Sequence, residues 1–449
     1  MQAKRASSYQ KAVDEIYRLD LLGSRLGLDR MREILSELGN PHESYVCVLV
    51  GGSNGKGSTV EMTGEILRSA GFKTGTYFSP QVVEFCERIM VNGKCATKRE
   101  IVDSYLKVKD VCQKHAIQAT FFEVVTAMAL LIFEWRKVKY AVLEVGLGGR
   151  LDATNAVEPE ISAIASISLE HTDILGNTVE QIAHEKCGIA RTGKKLVCGI
   201  IAEDAKRAVK SEAEAIGASL IFVEDDMRLS HLQQIGRSYS FATRYGGVEF
   251  TLALGAPGRF QISNACLATA LCHELGVEKK AIERGLSRAA PPFRLQQISR
   301  KPTVIADCCH NPEAAFAISN EAEHFQAERK VLLFSAMKDK DYRKVLKILK
   351  SHFDAVVLCE VALSRAASLA QLKATARKEG IEILGASTPE AALKKMQKTE
   401  GTCAFAVKKP VHALAFAKGL AGKKGCVFIG GSIYLLAELF GKDKMRIAQ

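Results

Sequence analysis

With 449 residues, the chain is longer than one compact hydrophobic core usually needs, and we expect two or three domains. Its apolar content of 47% and charged content of 25% are those of a folded globular protein, which excludes an intrinsically disordered chain. The net charge of +12 is spread along helical faces without interleaved aromatic residues, so we expect no nucleic-acid partner. A general positive field would instead attract polyanionic substrates.

The sequence also argues against export and membrane insertion. Residues 1–15 contain no apolar segment that could act as a signal peptide, and the longest apolar run, at residues 127–133, is too short to span a bilayer. We therefore expect a cytoplasmic protein with no membrane partner. The 13 cysteines have no C-x-x-C spacing, which favours reduced, mostly buried thiols over a disulfide framework or a zinc site.

Apolar strands alternate with amphipathic helices along most of the chain, which predicts an α/β fold with a mainly parallel sheet. In the first part, strands are predicted at 45–50, 74–78, 140–145, 161–167 and 195–198, and helices at 10–19, 29–38, 58–70, 98–115, 122–135 and 178–190. The alternating segment 238–254 instead predicts a β-hairpin that turns at Gly246 and Gly247.

A domain boundary is predicted at Pro291 and Pro292, because a prolyl pair cannot continue the helices predicted at 262–275 and 278–289. The first domain would cover residues 1–292 and the second residues 293–449. In the second domain a new series of strands alternates with helices; these strands are predicted at 303–306, 331–334, 355–358, 381–384 and 426–429.

The segment GGSNGKGS, residues 51–58, directly follows an apolar strand and precedes a helical pattern. Its glycines and lysine present backbone N–H groups and a helix N-terminus to an anion, so we predict that it binds the triphosphate of a nucleotide. The match to the general phosphate-loop pattern is imperfect, because Val50 stands where a glycine is expected and Gly57 separates Lys56 from Ser58. An ordinary glycine-rich strand-to-helix turn is the alternative.

Glu144 closes another buried strand, just before the glycine-rich segment 146–149. Ligands of open α/β sheets bind beyond the carboxyl ends of strands, so Glu144 is a candidate Mg²⁺ ligand beside the nucleotide; a solvated or capping glutamate is the alternative. His171 follows the next strand and is a second candidate ligand or acid/base group, although a lone histidine is more often structural. The glycine-rich segment is also a weak match to a dinucleotide fingerprint.

These segments belong to an ordered series: LGNP at 38–41, SNGKGS at 53–58, FSPQVVEFCERIMVNG at 78–93, LEVGLGGRLDATN at 143–155, SLEHTDILGNTVEQIAHEKCGIA at 168–190, DCCHNP at 307–312, DKD at 339–341 and GSIYL at 431–435. The series resembles the folylpolyglutamate synthase and dihydrofolate synthase family of the Mur ligase superfamily. The resemblance implies an N-terminal P-loop ATPase domain with a mainly parallel sheet and a smaller, Rossmann-like C-terminal α/β domain.

The resemblance also implies a reaction: ATP-dependent addition of L-glutamate to dihydropteroate, to reduced folates, or to both, through an acyl phosphate. ATP and Mg²⁺ would be required, and the protein would be a monomer. Two alternatives remain, namely a Mur-type or cyanophycin-like ligase with another acceptor, and a nucleotide-binding regulator without turnover.

Individual positions take their roles from the resemblance. The nucleotide would contact Asn54, Gly55, Lys56, Gly57, Ser58, Asn264 near the adenine, Arg294 across the interdomain cleft and Asp307 at the ribose. The Mg²⁺ ligands would be Ser58, Ser79, Glu144 and His171. Lys56, Glu144, His171, Lys186 and His310 would be catalytic, with Lys186 carbamylated, and His310 and Ser432 would bind the incoming glutamate.

Some positions depart from the family pattern. Phe260 replaces a histidine, Phe293 a glycine and Glu170 an aspartate, while Cys308 and Cys309 fill sites of small residues. None of these replacements removes a predicted phosphate or metal group, so the catalytic assignment is kept and only the packing around the nucleotide is expected to differ.

Overall fold

The structure is a computed structural model that describes residues 2–19 and 25–441, with side chains described from residue 8. The predicted domains also include residues 1, 20–24 and 442–449, which lie outside the described residues. Within the described ranges, no helix combines the length and the apolar character that crossing a bilayer requires.

The first part of the chain builds a mainly parallel sheet and the helices that cover it. In chain order its elements are α1 (Gln2–Arg18), α2 (Asp29–Glu37), β1 (Val46–Gly51), α3 (Lys56–Ser69), β2 (Thr74–Tyr77), β3 (Ile89–Val91), β4 (Lys94–Cys95), α4 (Lys98–Lys114), α5 (Phe121–Trp135), β5 (Tyr140–Glu144), β6 (Pro159–Ile164), α6 (Thr172–Leu175), α7 (Val179–Cys187), β7 (Lys195–Cys198), α8 (Glu203–Ile216), β8 (Ser219–Phe222) and α9 (Val223–Asp226).

The second part begins with an antiparallel sheet and continues into another parallel one. Its elements are β9 (Ser230–Ile235), β10 (Ser238–Tyr245), β11 (Val248–Ala253), α10 (Gln261–Glu274), α11 (Lys279–Arg288), β12 (Gln296–Arg300), β13 (Thr303–Ala306), α12 (Pro312–Glu323), β14 (Lys330–Phe334), α13 (Tyr342–Lys350), β15 (Ala355–Leu358), α14 (Leu369–Lys378), β16 (Glu382–Ile383), α15 (Pro389–Met396), β17 (Cys403–Ala406), α16 (Pro410–Ala421), β18 (Cys426–Gly430) and α17 (Ile433–Phe440).

The first sheet has the strand order β4-β3-β2-β5-β1-β6-β7-β8 in the described residues. All pairings from β2 to β8 are parallel, and β3 and β4 extend one edge in antiparallel orientation. Strands β1 and β5 lie at its centre and are almost entirely buried, because helices cover both faces of the sheet. The phosphate loop follows the carboxyl end of β1, and Glu144 lies at the carboxyl end of the adjacent parallel strand β5, so the two are close together.

The second large sheet has the order β12-β13-β18-β14-β15-β17-β16 and is parallel except for β12. Its predicted strands 303–306, 331–334, 355–358 and 426–429 are confirmed to within one residue at either end. The strand predicted at 381–384 is shorter, at Glu382–Ile383, and strand β17 was missed because its four residues CAFA carry little pattern.

The predicted hairpin is confirmed, with Gly246 and Gly247 both at positive φ in the turn between β10 and β11. A third strand, β9, pairs with β10 and was not predicted, because its exposed residues SHLQQI lack an apolar alternation.

Several helices and strands in the first part of the chain begin or end at residues other than those predicted. Helix α3 begins two residues earlier than predicted, at Lys56, and α1 begins at Gln2, where polar residues hide the helical periodicity. The predicted strand 161–167 ends at Ile164, because the next residues turn to contact the phosphate loop. The helix predicted at 178–190 ends at Cys187.

Helices α3 and α11 pack closely at Gly285. A Cβ atom at this position would lie 2.5 Å from the Cα atom of Ile66, which belongs to the backbone of α3 and cannot move aside easily. We predict that Gly285→Ala lowers the free energy of unfolding by about 1–3 kcal/mol in denaturant titrations. The control is Gly385→Ala, because no atom lies within 4 Å of the added methyl group there. Equal stability of both variants would contradict this packing.

Candidate active site

The phosphate loop has a fixed backbone geometry. Gly52 and Gly55 adopt φ angles of +136° and +87°, which favour glycine, and α3 begins directly after Gly55. The amide of Ser53 donates to the Ser166 carbonyl at 2.9 Å, and the amide of Asn54 donates to the Ser166 hydroxyl at 2.8 Å. The loop is therefore held open by the segment after β6.

Lys56 bends back over this loop. Its Nζ atom donates to the carbonyl oxygens of Gly52 at 2.6 Å and Ser53 at 3.0 Å. The ammonium group is thus held against the loop that precedes α3, and the first turn of that helix presents its free backbone N–H groups there. This arrangement suits a bound phosphate.

Glu144 lies behind the first turn of α3. A Cβ atom at Gly57 would come within 3.3 Å of its Oε2 atom, so glycine permits this close approach. The same oxygen accepts a hydrogen bond from the Ser79 amide at 3.1 Å. Burial raises the pKa of Glu144, while Lys56 and the Ser79 amide oppose that rise. The structure therefore brings the predicted metal ligands Glu144 and Ser79 to the turn that contains buried Ser58.

The donor set fits a Mg²⁺ ion that shares its coordination with phosphate. The described residues contain no group of three or more His, Cys, Asp or Glu that could hold a metal by itself. Mg²⁺ usually takes one or two carboxylates and completes its shell with hydroxyl, water and phosphate oxygens. A buried carboxylate whose charge is opposed by burial is a suitable partner for such an ion.

Lys186 and Glu170 form a buried ion pair that is close enough to Lys56 for its charge to act on both residues. Lys186 is only 1% exposed, and its Nζ atom lies 2.9 Å from Glu170 Oε1. Burial lowers the pKa of Lys186, and Glu170 opposes that shift. Burial also works against the charge of Glu170, yet Lys56 and Lys186 outweigh it and lower the pKa of Glu170 to about 2. Lys186 is therefore not a surface lysine, although its helix is amphipathic.

His171 faces the second sheet. It has a φ of +47° at the start of α6, and its Nε2 atom lies 3.5 Å from Nζ of Lys340. Burial lowers the pKa of His171, and Lys340 adds to this effect. Lys340 was not among the predicted site residues; the signal that could have identified it is the DKD segment at 339–341.

Side chains at the start of α12, which follows strand β13 of the second sheet, contact Asn54 of the phosphate loop. Asn311 Nδ2 donates to Asn54 Oδ1 at 2.9 Å, and Asn54 Nδ2 donates to Glu313 Oε2 at 2.6 Å. Asn311 also caps α12 by accepting from the Ala314 amide. Glu313 is a contact that the sequence did not predict, because its role depends on how the two sheets meet.

Asp307 and His310 lie at the end of β13. Asp307 is buried, and its two oxygens accept from the amides of Leu295 and Cys309, each at 2.8 Å. Burial raises the pKa of Asp307, and Arg294 opposes this. The Nδ1 atom of His310 lies 3.0 Å from the Cys308 carbonyl, and burial lowers the pKa of His310 to about 4. The imidazole is therefore neutral at neutral pH.

Two further predicted site residues, Ser432 and Asn264, form hydrogen bonds within or at the start of helices. Ser432 is 1% exposed and caps α17 by accepting from the Tyr434 amide at 3.2 Å. Asn264 is buried in α10 and donates to Gln261 at 2.8 Å. A Cβ atom at Gly55 would lie 2.4 Å from Asn264 Oδ1, so Asn264 abuts the phosphate loop. Their contacts with substrates stay predictions.

A groove of about 600 Å³ opens beside this part of the site. Tyr239 and Phe260 line one part of it, and Phe316 and Glu313 of α12 line another. Phe316 is 61% exposed, and Glu313 connects the groove to Asn54 of the phosphate loop. The groove thus combines aromatic surface with a side chain, Glu313, that contacts the phosphate loop.

Comparisons with known proteins agree with this architecture. The Mur ligase middle domain matches residues 50–272, and the Mur ligase glutamate ligase domain matches residues 293–405. A dihydrofolate synthase/folylpolyglutamate synthase of Bacillus subtilis is 31% identical over 450 residues, which cover 96% of this chain and 98% of that protein. The chain belongs to the dihydrofolate synthase/folylpolyglutamate synthase family. The predicted family and the predicted Mur-ligase-like α/β fold are confirmed.

Other members of this family differ in length. A probable bifunctional folylpolyglutamate synthase/dihydropteroate synthase of Haloferax volcanii is 34% identical over 440 residues. The alignment covers 96% of this chain but 50% of that protein, so the chain spans about half the length of this relative.

Solved structures of the family superpose over nearly the whole chain. The Escherichia coli protein in complex with DHPP and ADP is 28% identical, with a TM-score of 0.82 and coverage of 95% of this chain and 96% of that one. A bifunctional folylpolyglutamate synthase/dihydrofolate synthase with Mn, AMPPNP and L-glutamate bound is 30% identical, with a TM-score of 0.81 and coverage of 95% and 97%.

The buried neutral imidazole of His310 predicts a pH-dependent stability. Its pKa is about 4 in the folded protein and about 6.5 in an unfolded chain, so only the unfolded chain takes up a proton as the pH falls below 6.5. His310 therefore destabilises the fold progressively between about pH 6.5 and pH 4.

Between pH 7 and pH 4.5, the free energy of unfolding should fall in both proteins. We predict that the fall is roughly 2 kcal/mol smaller in His310→Gln than in the wild type, measured by urea titration at each pH. The same change at exposed His412 should have no such effect. If His310→Gln keeps the pH profile of the wild type, the imidazole is not buried in the neutral form.

Proposed function

We propose that the protein is an ATP-dependent ligase that adds L-glutamate to dihydropteroate, to reduced folates, or to both. The observation that carries the proposal is a buried carboxylate, Glu144, directly behind a phosphate loop at the edge where the two parallel sheets meet. Family membership and the ligands of the related structures, ADP, AMPPNP, Mn, DHPP and L-glutamate, support the substrates.

The first half of the reaction activates the acceptor. Lys56 and the backbone N–H groups of residues 54–58 would hold the phosphates of ATP, and Arg294 would add positive charge from the other side of the cleft. Ser58, Ser79, Glu144 and His171 would bind Mg²⁺, which neutralises phosphate charge. A carboxylate oxygen of the acceptor then forms a bond to the γ-phosphorus while the bond to ADP breaks, giving an acyl phosphate and ADP.

The second half forms the amide. The amine of glutamate attacks the acyl carbon, phosphate leaves and one proton is released. We assign His310 and Ser432 to the glutamate because both follow strands of the second sheet at the same edge. His310 is neutral at neutral pH and its Nδ1 atom faces the Cys308 carbonyl, so its other ring nitrogen would accept a hydrogen bond from the amine of glutamate. No covalent bond between protein and substrate is required.

Lys186 would act as a carbamate. Carbamylation needs the neutral amine, and burial favours that form by lowering the pKa of Lys186. The carbamate would add negative charge beside Glu170 and Lys56. In the structure, Lys186 instead pairs with Glu170 as an unmodified amine, so carbamylation would have to break or reorganise that ion pair.

The aromatic groove at Phe260 and Phe316 would receive the nucleotide base. Asn264, which abuts Gly55 of the phosphate loop, would lie near the adenine and Asp307 near the ribose, as the family resemblance implies. Aromatic side chains offer a face on which a base stacks. Phe260, which replaces the histidine of the family pattern, would then alter base packing without removing the pocket.

The remaining assignments rest on the family. We propose a monomeric, cytoplasmic enzyme of folate metabolism with two domains, residues 1–292 and 293–449, that requires ATP and Mg²⁺ and has no nucleic-acid partner. Two other functions are tested by the same assay: a Mur-type or cyanophycin-like ligase would use another acceptor, and a nucleotide-binding regulator would show no turnover.

The proposal predicts that the wild type, given ATP, Mg²⁺ and L-glutamate, converts dihydropteroate or tetrahydrofolate into a product one glutamate heavier, detected by mass spectrometry. Lys56→Ala should lower kcat at least ~100-fold, because the transferred phosphoryl group loses a positioned cation. Lys344→Ala is the control, since Lys344 is an exposed lysine paired with Asp341. ATP hydrolysis or amide formation by Lys56→Ala at the wild-type rate would contradict the phosphate role. Absence of product from both acceptors would contradict the function.

A further inference from the structure

Two cysteines lie next to each other at the edge of the first sheet that β4 forms. Cys86 belongs to the 3₁₀ helix at Phe85–Arg88, which leads directly into β3, and Cys95 ends β4, which pairs with β3 in antiparallel orientation. The 3₁₀ helix packs against β4, and the thiols of Cys86 and Cys95 form a hydrogen bond with each other. The function proposed above gives neither thiol a role.

Backbone hydrogen bonds hold the two cysteines in this arrangement. The carbonyl of Cys86 accepts from the Ile89 amide, and the carbonyl of Ile89 accepts from the Ala96 amide at 2.8 Å. Ile89 is fully buried in the core of the first sheet, so β3, which lies between the two cysteines in the chain, is anchored there. The neighbouring positions of the two thiols are therefore a property of the folded sheet edge.

The two thiols differ in exposure and in ionisation. Cys95 is exposed to solvent, whereas Cys86 is 6% exposed and its Sγ atom lies 3.6 Å from Glu84 Oε2. The hydrogen bond with the Cys86 thiol lowers the pKa of Cys95, although burial, Glu87 and Glu84 oppose this shift. The same hydrogen bond, together with burial, raises the pKa of Cys86. Cys95 is therefore the thiol that more readily becomes a thiolate.

This combination is typical of a redox-active pair of thiols. The thiolate is the reactive form of cysteine, and cysteines that sense oxidants are solvent-accessible, have a lowered pKa and lie beside a second, resolving thiol. A metal site is the other common use of paired thiols, but structural zinc takes four protein ligands. The described part of the chain has no group of three or more His, Cys, Asp or Glu suited to a metal ion. Oxidation is thus the chemistry that this pair supports.

We propose that Cys95 and Cys86 are a modification site that hydroperoxides oxidise reversibly to a disulfide. The Cys95 thiolate sulfur forms a bond to one oxygen of hydrogen peroxide while the O–O bond breaks and hydroxide leaves. This step reduces the peroxide and gives a sulfenic acid at Cys95. The sulfur of Cys86 then attacks the sulfur of Cys95, the S–O bond breaks, and the hydroxyl group leaves with the Cys86 proton as water. A dithiol reductant restores both thiols and is itself oxidised to a disulfide.

The test is oxidation of the full chain by hydrogen peroxide. Free thiols are then alkylated, the protein is digested with trypsin without reductant, and the peptides are analysed by mass spectrometry. Trypsin cleaves after Arg88 and Lys94, so Cys86 and Cys95 fall in separate peptides. The wild type should yield these two peptides joined, with a mass two hydrogens below their sum, and dithiothreitol should separate them again.

A third cysteine and one variant distinguish this pair from ordinary thiol oxidation. Cys112 is the internal control, because it is partly exposed and burial raises its pKa to about 11. Its thiol should be oxidised at least ~10-fold more slowly than that of Cys95. In Cys86→Ser the sulfenic acid at Cys95 has no resolving thiol, so dimedone, which labels sulfenic acids, should label Cys95 at least ~5-fold more than in the wild type.

The roles of the two thiols are tested separately. Cys95→Ser should leave Cys86 reduced, and oxidation of Cys86 in this variant at the wild-type rate overturns the inference. Oxidation of the wild type without a Cys86–Cys95 link overturns it as well, as does oxidation of Cys112 as fast as Cys95. If Cys86→Ser does not fold, the wild type and Cys95→Ser, which changes an exposed position, decide the question. The oxidation is measured without ATP, glutamate or acceptor, so its outcome is independent of the proposed function.

Discussion

A buried carboxylate that must remain charged is the constraint around which the site is built. Glu144 is at the end of a central strand, covered by the first turn of α3 and the loop at Ser79, and burial alone would favour its neutral form. Positive charge comes from separate parts of the chain: Lys56 on α3, Arg88 before β3 and Arg294 before β12. A metal ion bound with a nucleotide would add the strongest compensation.

The charged groups around Glu144 come from both parts of the chain. The first sheet supplies the phosphate loop and the carboxylate, but Arg294, Asp307 and His310 come from the second part of the chain. Contacts of Asn54 with Asn311 and Glu313, and of His171 with Lys340, connect the two parts directly at the site. Movement of one sheet relative to the other would therefore change several charges around the nucleotide at once, as is common where enzymes close over substrates.

Much of the fold follows from local pattern. Buried parallel strands such as 303–306 are short, continuous apolar runs, and helices with capping boxes, such as that at Thr97, have clear starts. Strands β9 and β17 were missed because exposed polar residues or a four-residue run carry no such pattern. The end of β6 was misplaced because its last predicted residues instead contact the phosphate loop, a long-range interaction that periodicity does not encode.

The site residues also fall into those that local sequence pattern predicts and those that it does not. The phosphate loop and Glu144 could be predicted from residue types at strand ends, whereas Lys186, His310 and Ser432 depended on the family resemblance. Lys340 and Glu313 were missed as site residues, because each reaches the site through a contact with a residue that is distant in sequence.

The most direct test of the account measures how Mg²⁺ changes the affinity of the protein for AMPPNP, in the wild type and in Glu144→Gln. If Glu144 binds an ion that also contacts the nucleotide, Mg²⁺ should strengthen AMPPNP binding at least ~10-fold in the wild type and less than about 2-fold in the variant. Glu180→Gln, at an exposed position on α7, should behave like the wild type. An equal effect of Mg²⁺ on the wild type and Glu144→Gln would contradict the central claim.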